Sequence, residues 1–494
     1  MTTLDLLSLA RRMIAIDTRS AVSNIGLIEF LIPLCQLAGL ETSLQQETQG
    51  GVQQYNLLAS RGPLDRDTLL LATHTDTVPP GDASLWTATE GDPFSLTQHE
   101  GLLYGLGTAD VKLDLLCKLL ALESLRDVHL RHNVALAATY GEETGRYGAK
   151  LLVRELQVRG SGAVPRCVLV GEPTGLRPCT AHKGYLEFRT EGSDPTPLRI
   201  PSLPCWRLVF AGIAAHSSQP HRGASANTAC LDALASLTGT AETSGAYDVP
   251  AIVSVRGGDA VNKVAARCEA VVVAGTAPDA GSLLTPAAVA AGISCSVEPA
   301  VPAGDAVWSP ELARLLLTVH SLTRGLEREL RAVEAPGFDP PFSTVNNGMV
   351  KLDQARSSYV LDVRTIPGEL PTEMLDAHAT ALKALEDLSP PHGEGLRLHT
   401  ERILESAPFR AIDDSDMLAA LMIELGTRGL PLEPELKSGT TEAPVYQGAG
   451  MDTIVFGPGR AAGNIHKPNE HVPLVDLHRC VEIYRDVIIR ACGS

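Results

Sequence analysis

The stretch DTLLLATHTDTV, residues 67–78, predicts the fold of the part of the chain around it. Its first half is a short, almost wholly apolar run bounded by turn residues, a pattern typical of a β-strand covered on both faces. His74 closes this run, and Asp76 follows two residues later. The stretch therefore predicts a buried strand that delivers polar side chains to one edge of a sheet.

Strand and helix patterns alternate on both sides of this stretch. The further strands and helices predicted in these flanking parts are 111–125, 133–140, 146–156, 168–171, 452–456 and 476–490. Alternation of short apolar runs with helical periodicity indicates a parallel sheet covered by helices. We therefore expect an α/β fold with a mostly parallel sheet in the first and last parts of the chain.

The middle of the chain has a different pattern. Proline-rich stretches at 191–205 and 276–304 alternate with isolated strand and helix patterns, which is typical of an α+β domain. Two similar halves suggest an internal duplication. The predicted division is an α/β domain split by an inserted α+β domain, with bounds 1–185, 186–389 and 390–494.

Composition excludes several classes of protein. The chain has 494 residues, of which 44% are hydrophobic and 20% charged, so we expect two or three folded domains rather than disorder. Its net charge of −17 argues against nucleic acid or an anionic membrane as the main partner. The sequence contains no apolar run long enough to predict a membrane-spanning helix. Ten scattered cysteines without a C-x-x-C pair favour a reducing cytoplasm.

Acidic and histidine side chains follow the predicted strands at similar spacings. The candidates are His74, Asp110, Glu142, Glu143, Glu172 and His466. Alone, each has an ordinary structural interpretation, such as a helix cap or a solvated helix face. Together they suggest a metal site, because the carboxyl ends of parallel strands meet at one edge of a sheet. Carboxylates with imidazoles suit zinc, and also cobalt or manganese.

Several motifs together resemble those of a known enzyme family. The segments are LLLATHTDTVPPGDASLW, GLGTADVK, TYGEETGRYGA, VGEPTG and GPG followed by IHKPNEHV. They are similar to the acetylornithine deacetylase, succinyl-diaminopimelate desuccinylase and glutamate carboxypeptidase family of di-metal hydrolases. The resemblance is clear over 66–184 and 436–494 and patchier over 206–267 and 340–370.

This resemblance implies two divalent metal ions, most simply zinc. It assigns His74, Asp110 and Glu172 to one ion. It assigns Asp110, Glu143 and His466 to the other, so that Asp110 bridges the two. Asp76 would orient the imidazole of His74. Glu142 would be the general base that takes a proton from the attacking water.

The resemblance extends to the inserted domain, and it implies a catalytic domain at 1–185 and 390–494 with a lid or dimerisation-type domain at 186–389. In AGIAAHSSQPHRG, His216 matches the family histidine that stabilises the developing oxyanion. Asn262 in GGDAVNKV is a candidate substrate contact. Arg364 in LDVRTIP resembles an arginine that binds a substrate carboxylate, although a surface-strand arginine would give the same pattern.

The leading hypothesis is a cytoplasmic metal-dependent hydrolase of the amide bond in an N-acyl amino acid. The alternative is a dipeptidase or carboxypeptidase of the same family, because STVNNGMV and SSYVLDVRT resemble the branch with a doubled lid. In that branch the second half of the lid substitutes for a partner subunit, so we expect a homodimer or a monomer with a duplicated lid. A non-catalytic binding protein is disfavoured, because every ligand and the base are present.

Overall fold

A computed structural model describes residues 5–199, 204–239, 250–301, 307–388 and 395–493. The chain divides into two compact units. The first unit is formed by Met1–His182, Phe409–Lys437 and Thr441–Ser494, and the second by Lys183–Pro408 and Ser438–Thr440.

The elements of the three successive stretches follow in chain order. Those of the first stretch are α1 (Leu6–Ile14), α2 (Ile25–Leu37), β1 (Glu41–Gln49), β2 (Val52–Ser60), β3 (Leu69–His74), β4 (Thr97–His99), β5 (Leu102–Tyr104), α3 (Lys112–Ser124), β6 (Val134–Thr139), α4 (Glu142–Gly145), α5 (Tyr147–Val158), β7 (Cys167–Gly171) and β8 (Cys179–His182). Those of the middle stretch are β9 (Tyr185–Ser193), β10 (Leu198–Arg199), β11 (Cys205–Ala211), α6 (Ala226–Gly239), β12 (Ala251–Gly257), β13 (Arg267–Val273), α7 (Pro286–Ala290), β14 (Ser294–Ala300), β15 (Val307–Trp308), α8 (Pro310–Arg331), β16 (Thr344–Asp353), β17 (Arg356–Arg364), α9 (Glu369–Asp387) and β18 (Arg397–Ser406). Those of the last stretch are β19 (Phe409–Arg410), α10 (Asp416–Thr427), β20 (Glu435–Lys437), α11 (Ala443–Gly448), β21 (Asp452–Phe456), β22 (His471–Pro473) and α12 (Leu474–Cys492).

The first unit is built on a nine-stranded sheet with the order β1-β2-β6-β3-β7-β21-β8-β19, to which β20 adds by pairing with β8. The neighbours β6, β3, β7 and β21 are parallel to one another. These central strands are almost wholly buried because they carry Leu, Val, Ile and Ala on both faces. The expected parallel α/β core is confirmed, with antiparallel strands at both edges.

A buried polar network ties a helix to the middle of this sheet. Asp114 and Lys118 lie one turn apart on α3, with 2.9 Å between carboxylate oxygen and Nζ. Thr73 of β3 and Tyr484 of α12 both donate hydroxyl hydrogen bonds to Asp114. Because β3 ends at His74 and α3 begins two residues after Asp110, the network fixes two of the candidate ligands relative to each other.

The second unit is built on an eight-stranded antiparallel sheet with the order β14-β11-β13-β12-β16-β17-β9-β18. Two four-stranded halves meet where β12 pairs with β16. Helices α6, α8 and α9 pack on the sheet through an apolar core that includes Leu208, Leu234 and Leu316. The predicted α+β character of the insertion is confirmed.

The second unit ends after Pro408, later than the predicted boundary at 389. The physical reason is β18, which pairs along the full length of β9 and so belongs to the antiparallel sheet. The catalytic and lid roles assigned to the two parts stay predictions.

Candidate metal centre

The parallel strands of the first unit bring the predicted polar side chains to one edge of the sheet. His74 is the last residue of β3, Glu172 follows β7 directly, and Glu142 opens α4 just beyond β6. Asp110 precedes α3, and His466 lies in the loop between β21 and β22. Each strand ends where its apolar run gives way to polar residues, and these polar side chains therefore lie just beyond the strand ends.

Asp110, Glu143 and His466 offer ligand atoms that all lie within 4.8 Å of one another. His466 Nε2 lies 3.2 Å from Asp110 Oδ2 and 3.2 Å from Glu143 Oε1. Both carboxylates are nearly buried, and Glu143 Oε1 has no hydrogen-bond partner among the described residues. An orphaned carboxylate oxygen beside a second carboxylate and an imidazole fits a divalent cation such as zinc.

The electrostatics of this trio favour a bound positive charge. Burial lowers the pKa of His466, but the adjacent carboxylates of Asp110 and Glu143 outweigh it and raise the pKa to about 11. Burial raises the pKa of Asp110, but the hydrogen bonds and charges of its two histidine neighbours outweigh it and lower that pKa overall. The trio therefore holds a proton on the imidazole tightly, and a divalent cation would take the place of that proton.

Asp76 fixes the orientation of His74. His74 Nδ1 lies 3.1 Å from the Asp76 carbonyl and 3.5 Å from its carboxylate, which directs Nε2 toward Asp110 Oδ1 at 3.3 Å. Asp76 also accepts hydrogen bonds from the Ser20 hydroxyl and from the backbone N–H groups of Glu142 and Glu143. One buried carboxylate therefore orients an imidazole and both adjacent glutamates.

Glu142 is buried beside the trio. Burial raises the pKa of its carboxyl well above the usual range; His74 lowers it, and the nearby charges of Glu172 and Glu143 raise it further. A raised pKa makes a carboxylate a stronger proton acceptor than an exposed one. Glu142 is therefore a candidate for proton transfer at this edge.

Glu172 forms an ion pair that the sequence does not indicate. Its Oε2 accepts a hydrogen bond from Lys437 Nζ at 2.9 Å, and both side chains are almost fully buried. Among the described residues, His74, Asp110 and Glu172 do not form a cluster of mutually close ligand atoms. The donor set expected for the other ion therefore fits a cation less well, because an ammonium group already faces its glutamate.

Two further buried carboxyls were missed by the sequence reasoning. Glu470 accepts hydrogen bonds from the backbone N–H groups of Ala109 and Asp110 at 2.8 and 3.0 Å, and burial raises its pKa to about 8. Glu442 accepts from the Thr139 hydroxyl at 2.8 Å, and burial raises its pKa to about 7. Glu470 has a signal in the sequence, since it follows His466 within the quoted motif, whereas Glu442 has none.

In the second unit, three sequence-predicted side chains belong to loops or strand ends that contact each other. His216 forms an isolated antiparallel bridge with Lys263, and the Ser217 N–H donates to the Asn262 carbonyl at 3.0 Å. The Ser217 hydroxyl donates to Asp362 at 2.7 Å. The loops that carry His216 and Asn262 therefore meet the end of β17.

Asp362 also holds Arg364. Arg364 Nε and Nη2 donate to the two Asp362 oxygens at 3.0 and 3.3 Å, and the guanidinium lies 4.0 Å from the centre of the Tyr185 ring. We expected a substrate carboxylate as the partner of Arg364, and the structure pairs Arg364 with the carboxylate of Asp362. In His216, Nδ1 accepts from the Ser218 N–H at 3.2 Å, and the Ser218 hydroxyl lies 2.8 Å from the same nitrogen.

Comparisons with known proteins agree with this architecture. The model of "Peptidase family M20/M25/M40" matches residues 70–490. An acetylornithine deacetylase from Proteus mirabilis (strain HI4320) is 34% identical over 267 residues, which cover 52% of this chain and 61% of that relative. The match thus spans about three fifths of the length of that curated relative.

Two solved structures share the fold. An aminoacylhistidine dipeptidase from Vibrio alginolyticus superimposes with a TM-score of 0.69 at 14% identity, covering 99% of this chain and 98% of that one. The metallo-carboxypeptidase Sso-CP2 from Sulfolobus solfataricus gives a TM-score of 0.55 at 17% identity, covering 98% and 99%.

Proposed function

Because the chain belongs to peptidase family M20/M25/M40, we propose that it is a metal-dependent hydrolase that cleaves the amide bond of an N-acyl amino acid. The observation that carries this proposal is the trio of Asp110, Glu143 and His466 beside the buried carboxyl of Glu142. The 34% identity to an acetylornithine deacetylase supports an acyl amino acid as the substrate class.

The chain's own residues supply the proton transfers. A divalent cation bound by the trio would polarise the scissile carbonyl and acidify the attacking water. Glu142 takes the proton from that water and returns it to the departing amine, so that the amide becomes a carboxylic acid and a free amine. The Asp76 carboxylate accepts a hydrogen bond from the backbone N–H of Glu142 and so holds Glu142 in place during both proton transfers.

We propose three substrate contacts on the basis of the family resemblance. His216 would donate a hydrogen bond from Nε2 to a developing oxyanion, and the Ser218 N–H that bonds to Nδ1 favours the tautomer with its proton on Nε2. Asn262 lies on the loop that contacts the His216 segment. Arg364 would bind the substrate's α-carboxylate through Nη1, since Nε and Nη2 are used by Asp362.

One feature favours a second candidate, a dipeptidase or carboxypeptidase. The antiparallel sheet contains two four-stranded halves, of which the second includes β16 and β17, the segments that resemble the doubled-lid branch. A free substrate carboxylate is common to both candidates, so Arg364 does not discriminate between them.

A hydrolysis panel separates the two candidates. The chain, loaded with zinc, cobalt or manganese, is incubated with N-acetyl and N-succinyl amino acids, with dipeptides, and with peptides that vary in their last residue. We expect turnover of the N-acyl amino acids to exceed that of the peptides. Faster cleavage of the dipeptides would replace the leading proposal by the second one.

The remaining expectations concern the cellular compartment and the binding partners. None of the ten cysteines forms a disulfide bond, which supports a reducing cytoplasm as the working compartment. In the part of the chain that the structure describes, no helix has the length and apolar character needed to cross a bilayer. We propose small-molecule substrates, without nucleic acid or membrane partners.

A further inference from the structure

We propose that Lys437 makes the two metal sites unequal, so that one ion binds tightly at Asp110, Glu143 and His466 and a second binds weakly at His74 and Glu172. This inference rests on the metal centre that the proposed function uses. Its basis is the buried ion pair between Lys437 Nζ and Glu172 Oε2 at 2.9 Å.

The lysine is held where it is by its strand. Lys437 is the last residue of β20, and its backbone is in register with His182 of β8 in the nine-stranded sheet. Only 8% of its side chain is exposed. Moving the ammonium away from Glu172 would leave a buried charge without its counter-ion, which is costly. The lysine therefore stays beside Glu172 while an ion binds.

The charges of the two sites differ as a result. Apart from the shared Asp110, each donor set contributes one histidine and one carboxylate. On the side of Glu143, the orphaned Oε1 faces His466, and no lysine or arginine forms an ion pair with it among the described residues. On the side of Glu172, the ammonium of Lys437 neutralises the carboxylate and repels a cation. The second ion therefore meets a weaker attraction.

A lysine beside Glu172 has two alternative effects on the second site, and they change the binding of the second ion in opposite directions. Lys437 bonds only one oxygen of Glu172, and a lysine that merely oriented Glu172 would strengthen the second site. Removing Lys437 then weakens the binding of the second ion. Under our proposal, the same removal strengthens it.

The first measurement uses the full-length wild-type chain without substrate. The chain is stripped with a chelator and titrated with Co²⁺, and the visible absorption of the bound ion is followed. We expect two binding steps separated by about tenfold or more in cobalt concentration, the size of effect that one neighbouring like charge has on a site. Two ions that bind with equal affinity would overturn the proposal.

The second measurement compares variants by zinc content after dialysis at a fixed, chelator-buffered zinc concentration. Lys437→Met should hold about two zinc ions per chain where wild type and Lys437→Arg hold about one. Lys183→Met is the matched control, because Lys183 is a buried lysine that donates to the carbonyls of Pro340 and Phe342 in the second unit. It should match the wild type.

A double variant identifies the site of the additional ion. Lys437→Met combined with Glu172→Gln should lose the second zinc ion that Lys437→Met alone gains. A Lys437→Met variant with unchanged or lower zinc content would refute the proposal that Lys437 weakens the binding of the second ion. These outcomes are independent of the proposed function, since zinc is counted without turnover, and an inactive wild type with two unequal sites would contradict only the function.

Discussion

Glu142 and Glu143 are adjacent in the sequence, yet the structure gives them different surroundings. Both backbone N–H groups bond to Asp76, which fixes the turn that separates the two side chains. Glu143 Oε1 points at His466, whereas Glu142 does not belong to the trio. One turn therefore presents a candidate ligand and a candidate base side by side.

Glu142→Gln should retain bound metal and lose about 10²–10⁴-fold in turnover, because it removes a proton acceptor and no ligand. The measurement is the turnover rate together with metal content per chain. Glu143→Gln is the matched control at the neighbouring position. It should lower metal content, and the reverse pattern would show that the roles of the two glutamates are exchanged.

His216→Ala should lower turnover by about 10²–10³-fold, because it removes a hydrogen bond to the developing oxyanion. Metal content should stay unchanged, since His216 is not among the candidate metal ligands. Ser218→Ala is a milder companion, because the Ser218 hydroxyl lies 2.8 Å from His216 Nδ1. Full activity in His216→Ala would exclude the proposed role.

At the scale of elements, the buried parallel strands of the first unit were predictable and its exposed edge strand β1 was not. β3, β6, β7 and β21 are apolar runs between turn residues, and each lies within two residues of its predicted position. β1 was missed because its sequence, ETSLQQETQ, is polar along an exposed edge. Its signal was the Gly50-Gly51 pair, whose positive φ angles form the tight turn to β2.

The candidate site, too, could be predicted only in part from the sequence. His74, Asp110 and Glu143 each follow or precede a recognisable element, so their meeting could be expected from sheet topology. The contact between Lys437 and Glu172, which are 265 residues apart in the sequence, could not, because it depends on how β20 pairs with β8. No local pattern encodes such a contact.

Helix α9 carries a histidine that should make the second unit sensitive to acid. His378 packs edge-to-face on Phe188 at 5.8 Å, and its Nε2 has no hydrogen-bond partner within the described ranges. Burial lowers the pKa of its ring to about 4, below the value of about 6.5 in an unfolded chain. The unfolded chain therefore binds the proton first. The stability that neutral His378 contributes is present above about pH 6.5 and is lost as pH falls toward 4.

His378→Leu should remove this sensitivity. Between about pH 7.5 and pH 5, the wild type should lose about 2 kcal/mol more free energy of unfolding than the variant, as the pKa difference requires. Urea unfolding at both pH values, followed by tryptophan fluorescence, measures the difference. His221→Leu serves as a control at a partly exposed histidine on the Pro220–Arg222 turn. Equal acid sensitivity in wild type and His378→Leu would contradict the prediction.

At the scale of the whole molecule, the two four-stranded halves of the second unit's sheet predict a monomer. One chain already forms the eight-stranded sheet, and its edge strands resist further pairing. β18 carries Arg397, His399 and Glu401 in exposed positions, and β14 contains Pro299. Charged side chains and proline are devices that block edge-to-edge association.

Light scattering after size exclusion should therefore give a mass near 52.3 kDa. A matched functional test mixes inactive Glu142→Gln with inactive His216→Ala. We expect no recovery of activity, because each chain would use its own His216. Recovered activity with a doubled mass would demonstrate a homodimer with shared sites.

The central position of β21 has a consequence for how the protein is made. β21 lies between β7 and β8, although the whole second unit separates it from them along the chain. A ribosome delivers residues in order from the amino end, and domains fold as units once their residues have emerged. The second unit thus completes its sheet while the first unit still lacks the strand between β7 and β8. The candidate metal centre can assemble only once β21 and the His466 loop have been synthesised.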